Sequence, residues 1–206
     1  MNPIVNACLA RLKTVSLAAI GTVAIAGCDV AHGAVSFVED QQTGYFASEE
    51  YARDVSKGDI TVVVRGSAFG MDQRTLSDLV VRNMKGADWG PHARFTATPD
   101  ANAARTYFYV MMLNGPVNIT GAALCARPSQ PLAAGPARAS GEIRLVTALC
   151  RFNKIATSVS GRATGVKGPD DPNMHSLIAG AVQDVTRPNQ QRIDRDRDGS
   201  SFDFRR

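Results

Sequence analysis

The sequence predicts an α+β fold: a two-layer sandwich whose antiparallel-rich sheet of four to six strands carries two helices on one face. Two observations lead to it. Stretches with two-residue alternation and stretches with helical spacing follow one another as strand, helix, several strands, helix, without the regular β-α alternation that builds a parallel sheet. The links between the later strands are short and rich in Gly, Pro and Asn, which suits hairpins.

The first strand is Ile60 to Val64, with Ile60, Val62 and Val64 on one face and Val63 on the other. Apolar residues on both faces place it inside the sheet. Gly66 through Gly70 then turns the chain, and Asp72 is suited to cap a helix from Gln73 to Met84. Leu76, Leu79, Val80 and Met84 recur at helical spacing and form its buried stripe; Gly86 suits a left-handed exit. Arg94 to Ala97 reads as a short strand and Arg105 to Asn114 as a strong one. Val117 to Leu124 reads as its hairpin partner across Gly115-Pro116, and 126–140 as an irregular Ala, Pro, Gly and Arg rich loop. Glu142 to Phe152 is a long strand, Asn153-Lys154 a turn, and Ile155 to Arg162 a more polar strand at or near the edge. Asp171 caps the last helix and Pro172 takes its first position, where a missing N–H costs nothing. Met174, Leu177, Ile178, Val182 and Val185 face inward, and Pro188 stops the helix.

The N-terminus carries an address. Arg11 and Lys13 are the only charges before Asp29, and the apolar stretch from Val15 to Ala26 is 12 residues long. A spanning helix needs about 20 apolar residues, whereas a secretory core needs about 7–15. The stretch ends in Ile25-Ala26-Gly27-Cys28, which resembles a bacterial lipoprotein signal: small residues before a cysteine whose sulfur accepts lipid. Ala24-Ile25-Ala26 is also an A-x-A cleavage pattern, which would release a soluble periplasmic protein. Lipid at Cys28 would hold firmly, because each buried methylene contributes about 0.8 kcal/mol and an acylated cysteine carries several chains. Asp29 resembles the inner-membrane retention signal of enteric bacteria. Residues 1–27 therefore read as a signal peptide, 28–57 as the lipidated cysteine and a flexible tether, 58–187 as a globular α+β domain, and 188–206 as a disordered tail. Tyr45, Phe46 and Tyr51 are placed to dock the end of the tether.

Removing Arg11 and Lys13 from 23 basic residues leaves 21 against 19 acidic ones, so the net charge falls from +4 to +2. Such a balance in an exported chain points away from nucleic acid as a partner. Cys8 leaves with the signal and Cys28 is taken by lipid. Cys125 and Cys150 remain, and an even pair in an oxidising compartment reads as a disulfide.

Chemistry is sparse. Gly66-Ser67-Ala68-Phe69-Gly70 leads into a helix N-terminus, but it lacks the Gly-Lys-Ser/Thr ending of a P-loop, and Asp72 would repel an anion. Asp194-Arg195-Asp196-Arg197-Asp198-Gly199 resembles the start of an EF-hand loop, yet Arg205 stands where a bidentate Glu is needed. Among the histidines His32, His92 and His175, only His92 has company that suggests a contact. It follows the single tryptophan in Ala87-Asp88-Trp89-Gly90-Pro91-His92, and an exposed loop aromatic favours an interface. Trp89 and His92 are thus the candidate partner-contact residues. The same loop could instead plug the end of the sheet. No nucleophile, base and acid stand at recognisable spacing, and no metal or cofactor set is expected.

The runs Ile60-Thr61-Val62-Val63-Val64-Arg65-Gly66, Trp89-Gly90-Pro91, Leu124-Cys125-Ala126 and Gly165-Val166-Lys167-Gly168-Pro169-Asp170-Asp171-Pro172 are similar to an uncharacterised alphaproteobacterial envelope lipoprotein family. The resemblance spans most of residues 59–187, implies lipid anchoring, and carries no catalytic residues. The expected function is that of a membrane-anchored cell-envelope lipoprotein. It would act as a non-catalytic binding or assembly adaptor for an envelope protein or the cell wall. A secreted periplasmic small-ligand binding protein is the alternative, and an envelope enzyme a third.

Overall fold

The computed structural model describes residues 34–39, 48–89, 92–100, 103, 106–130, 135 and 139–187. Ten elements follow in chain order: β1 (Val35–Glu39), α1 (Ser48–Val55), β2 (Ile60–Gly66), α2 (Gln73–Met84), β3 (Phe95–Thr96), β4 (Tyr107–Leu113), α3 (Gly121–Ala126), β5 (Ile143–Arg151), β6 (Lys154–Ala163) and α4 (Pro172–Thr186). One six-stranded sheet has the order β1-β6-β5-β4-β2-β3. Strands and helices share one fold of the mixed α and β kind, as the sequence predicts.

The sheet is mixed rather than antiparallel-rich. β1/β6, β6/β5 and β5/β4 are antiparallel, while β4/β2 and β2/β3 are parallel. The cause is α2. A helix that carries the chain back along the sheet makes the next strand run in the direction of the one before it. Both β3 and β4 flank β2, and β2 is apolar on both faces because Ile60, Val62 and Val64 pack under α2 and α4 while Val63 packs on the opposite face.

Four helices are described, not two. The segment read as a strand from Val117 holds α3 instead. Thr120 caps it, accepting the Ala123 N–H at 3.2 Å, and the alanine-rich run after it favours helix over strand. The 28–57 stretch read as a tether holds both β1 and α1. β1 pairs along its whole length with β6, from Val35↔Ala163 to Glu39↔Val159, so β6 is an inner strand and β1 the edge. The Phe37 ring fits against Gly161 and Gly180, where an added Cβ would lie 2.7–2.9 Å from its atoms. Two missing side chains, one on β6 and one on α4, open the slot that holds β1.

α1 closes the opposite end of the sheet. Tyr51 is buried, and its ring meets Tyr107 edge-on at 5.7 Å. The Asp54 carboxylate accepts the Tyr107 N–H at 2.9 Å and so satisfies the first donor of β4. Tyr45 and Phe46 lie outside the described residues.

The main core lies between one sheet face and α2 with α4. Leu76, Leu79, Val80 and Met84 on α2 and Met174, Leu177, Ile178, Val182 and Val185 on α4 are all buried, as their spacing predicts. Each such side chain stabilises the fold by roughly 2 kcal/mol. Both predicted caps form: Asp72 accepts the Arg74 and Thr75 N–H groups, and Asp171 accepts that of Asn173. A smaller core lies on the other face, where Leu124 and Cys125 of α3 cover Val110, Met112, Val146, Ala148 and Cys150.

Candidate functional site

α3 is only six residues long and leaves part of its sheet face open. Alternation along β5 puts Arg144, Val146, Ala148 and Cys150 on that face. Register then aligns Arg144 with Arg162 on β6, and Arg162 with Ser36 on β1. The next rung aligns Val146 with Ser160. Ser36, Arg144, Ser160 and Arg162, with Gly161, Glu142 and Val117, line a cleft of about 510 Å³.

Its electrostatics are unbalanced. Arg162 pairs with Glu142, Nη2 to Oε2 at 3.0 Å, and that carboxylate is mostly buried. Arg144 uses its backbone N–H and C=O on Asn114, and its guanidinium has no partner among the described residues. Cross-strand neighbours stand about 5 Å apart at Cβ, where two like charges destabilise a sheet. Among the described lining residues one glutamate stands against two arginines, a formal surplus of one positive charge.

Arg65, on the same face, has a different task. Its guanidinium donates to the Arg127 and Pro128 carbonyls, both at 3.0 Å, and ties down the chain leaving α3. Burial lowers its pKa from the ordinary value. Cys125 and Cys150 form the expected disulfide, Cα to Cα 5.5 Å, and bolt α3 to β5.

Trp89 and His92 lie at the far end of the sheet from the cleft, in the loop between α2 and β3, and β3 pairs with the start of β2. Trp89 is 56% exposed, and its backbone N–H donates to Thr186 Oγ1 at the end of α4. The buried Asp88 carboxylate accepts the Ala93 N–H at 2.7 Å through Oδ2. Its Oδ1 faces His92 Nδ1 at 3.5 Å, close enough for an ion pair and too long for a good hydrogen bond. Inside the same end, the Tyr51 and Tyr109 hydroxyls share a buried 3.2 Å hydrogen bond. Burial, first of all, raises both of their pKa values above the usual 10.0. The loop is therefore braced from within while presenting its indole outward.

At the N-terminus of α2, Asp72 occupies the donors an anion would use, so the Gly66–Gly70 turn is an ordinary strand-to-helix connection. Cys28, His32 and the Asp194–Gly199 run lie outside the described residues. Among the described residues no group of three metal-ligating side chains comes together, and no helix is long and apolar enough to cross a membrane.

Sequence reasoning found the disulfide and missed the cleft. Arg144 and Arg162 stand 18 positions apart, and only strand register makes them neighbours. Their signal was the presence of arginine inside two otherwise packed strands.

No family model matches the chain, and no curated protein is similar to it. Among solved structures, it is similar to the PelC dodecamer from Paraburkholderia phytofirmans, with 12% identity and a TM-score of 0.40 over 77% of this chain and 100% of that one. A single-substitution variant of that dodecamer gives 11% identity and a TM-score of 0.38 over 76% and 100%. Similarity this low transfers no activity.

Proposed function

We propose that the chain is a membrane-anchored cell-envelope lipoprotein whose domain is a non-catalytic binding or assembly adaptor. The observation that carries the reading is the disulfide between Cys125 and Cys150, because such bonds persist in oxidising compartments outside the cytosol. It agrees with a secretory core ending in Ile25-Ala26-Gly27-Cys28.

The start of β1 reshapes the tether. Only six residues separate Cys28 from Val35, which spans at most roughly 25 Å when fully extended. An acylated Cys28 would therefore hold the domain near the bilayer by the end of the sheet where β1 begins. That is the end that carries the cleft, and Trp89 and Phe152 lie at the other, with 56% and 60% of their surface exposed. A domain held at one end with aromatics at the other suits an adaptor that reaches from the membrane toward an envelope protein or the cell wall.

Cys28→Ala is the test. It should abolish fatty-acid labelling and move the protein from the membrane to the soluble fraction, and labelling retained in the variant refutes the anchor. In vivo crosslinking from position 89, followed by mass spectrometry, identifies the adaptor's partner.

The cleft favours a second reading, small-ligand binding. Its volume lies within the usual range for ligand sites of about 300–1,000 Å³. Its charged lining selects polar, not greasy, ligands.

A further inference from the structure

We propose that the cleft formed by Ser36, Arg144, Ser160 and Arg162 is a binding site for a phosphate group. The inference goes beyond the adaptor reading, and only the lipid source considered below rests on the membrane anchor.

Three observations carry it. First, Arg144 and Arg162 are direct cross-strand partners on one face, an arrangement that works against the sheet unless an anion joins them. Glu142 pairs with Arg162, and the Arg144 guanidinium has no partner among the described residues. Local rules broken without a compensating contact tend to mark function. Second, the donors converge. Arg144, Arg162, Ser36 and Ser160 all line one concavity. A carboxylate has two oxygens and saturates one fork, whereas a phosphate offers enough acceptors for both forks and a hydroxyl. Third, the site is built from three adjacent strands, not from a loop. β5 and β6 are paired over the whole stretch, and Phe37 seats β1 against Gly161 and Gly180. Rigid elements hold a binding geometry better than loops do.

The cleft is open to solvent, so binding is modest and weakens as salt is added. Phosphate could come from a soluble compound or from a lipid headgroup. The site lies at the end of the sheet where β1 begins, so a lipid of the anchoring membrane is within reach.

The experiment uses the full chain in micelles of a zwitterionic detergent. Inorganic phosphate, acetate and dihexanoyl phosphatidylglycerol below its micelle concentration are titrated separately, with amide chemical shifts as readout. Phosphate should shift the amides of residues 36, 144, 160 and 162 and leave those around Trp89 unmoved. Arg144→Gln should weaken binding at least about fivefold, Arg144→Lys should lie between it and the wild type because charge survives and the fork does not, and Lys154→Gln should change nothing. Tighter binding of the lipid than of phosphate assigns the site to membrane headgroups. Equal or weaker lipid binding assigns it to soluble phosphate compounds. Either result supports phosphate recognition. Absence of shifts with both phosphate probes, acetate binding as tightly as phosphate, or unchanged affinity in folded Arg144→Gln overturns it. Cys28 acylation has no part in these titrations, so their failure leaves the anchor standing, and loss of the anchor leaves the cleft standing.

Discussion

Reduction of the Cys125–Cys150 bond should cost the fold a calculable amount. The two cysteines are 25 positions apart. Closing a loop of that size removes about 12 cal/mol/K of unfolded-chain entropy, or roughly 3.5 kcal/mol at room temperature. For a domain of this size each kcal/mol moves the melting temperature by roughly 2–4 °C, so the oxidised protein should melt about 10 °C above the reduced one. The effect should also be local. α3 has six residues, too few to persist alone, and beyond the disulfide it is held chiefly by Leu124 and by the Arg65 bonds at its exit. In the reduced protein, proteases should cut between residues 117 and 142 before the sheet opens. The assay is urea unfolding followed by circular dichroism, with and without reductant, beside a Cys125→Ser/Cys150→Ser double variant. That variant should match the reduced wild type. A difference below about 1 kcal/mol, or equal protease resistance in both redox forms, would falsify the claim that this bond carries α3.

Phe37→Ala should free β1. The ring is half-buried, so the loss is about 2 kcal/mol, and hydrogen exchange should rise at residues 35–39 while α4 stays protected; equal protection in both proteins contradicts the slot. Gly66→Ala should destabilise by about 3 kcal/mol or more, because the residue sits at φ 87° and an added Cβ would fall 1.8 Å from the Leu113 carbonyl oxygen; a chemical melt near the wild-type midpoint counts against it. The Tyr51 and Tyr109 pair sets an alkaline limit. Both folded pKa values are raised, so the stabilisation is fully present below the unfolded value near 10 and is lost as pH climbs from there toward the folded values. Phenolate absorbance from these two should therefore appear only together with unfolding, and ionisation of all four tyrosines in a still-folded chain contradicts the buried hydroxyl bond.

Much of the main core was readable because helices announce themselves locally. Asp72 and Asp171 cap within their own turns, and the stripes Leu76–Met84 and Met174–Val185 repeat every third or fourth residue. Those positions report on neighbours a few residues away. β1 was hidden because five residues of alternation carry little signal, and their partner is more than a hundred positions distant. The switch at Val117 misled because its β-branched residues favour a strand, while the cap at Thr120 and the Gly121 contact with Ser158 decide for a helix seated on β6. Parallel pairing of β2 with β4 was missed because Thr61 and its partner Phe108 are separated in sequence by α2 and β3, and strand pairing at that distance leaves no local signal.

By itself the sequence determined the two long helices with their buried stripes, the two apolar faces of β2, and the pairing of the only two cysteines left after Cys8 and Cys28. Each of these follows from periodicity or from chemistry within one segment. Tertiary structure decided the direction of the strands, the edge position of β1, and the meeting of Arg144 with Arg162. Register is a relation between segments: a slip of one residue would turn either arginine to the opposite face, so the cleft exists only once the whole sheet is in place.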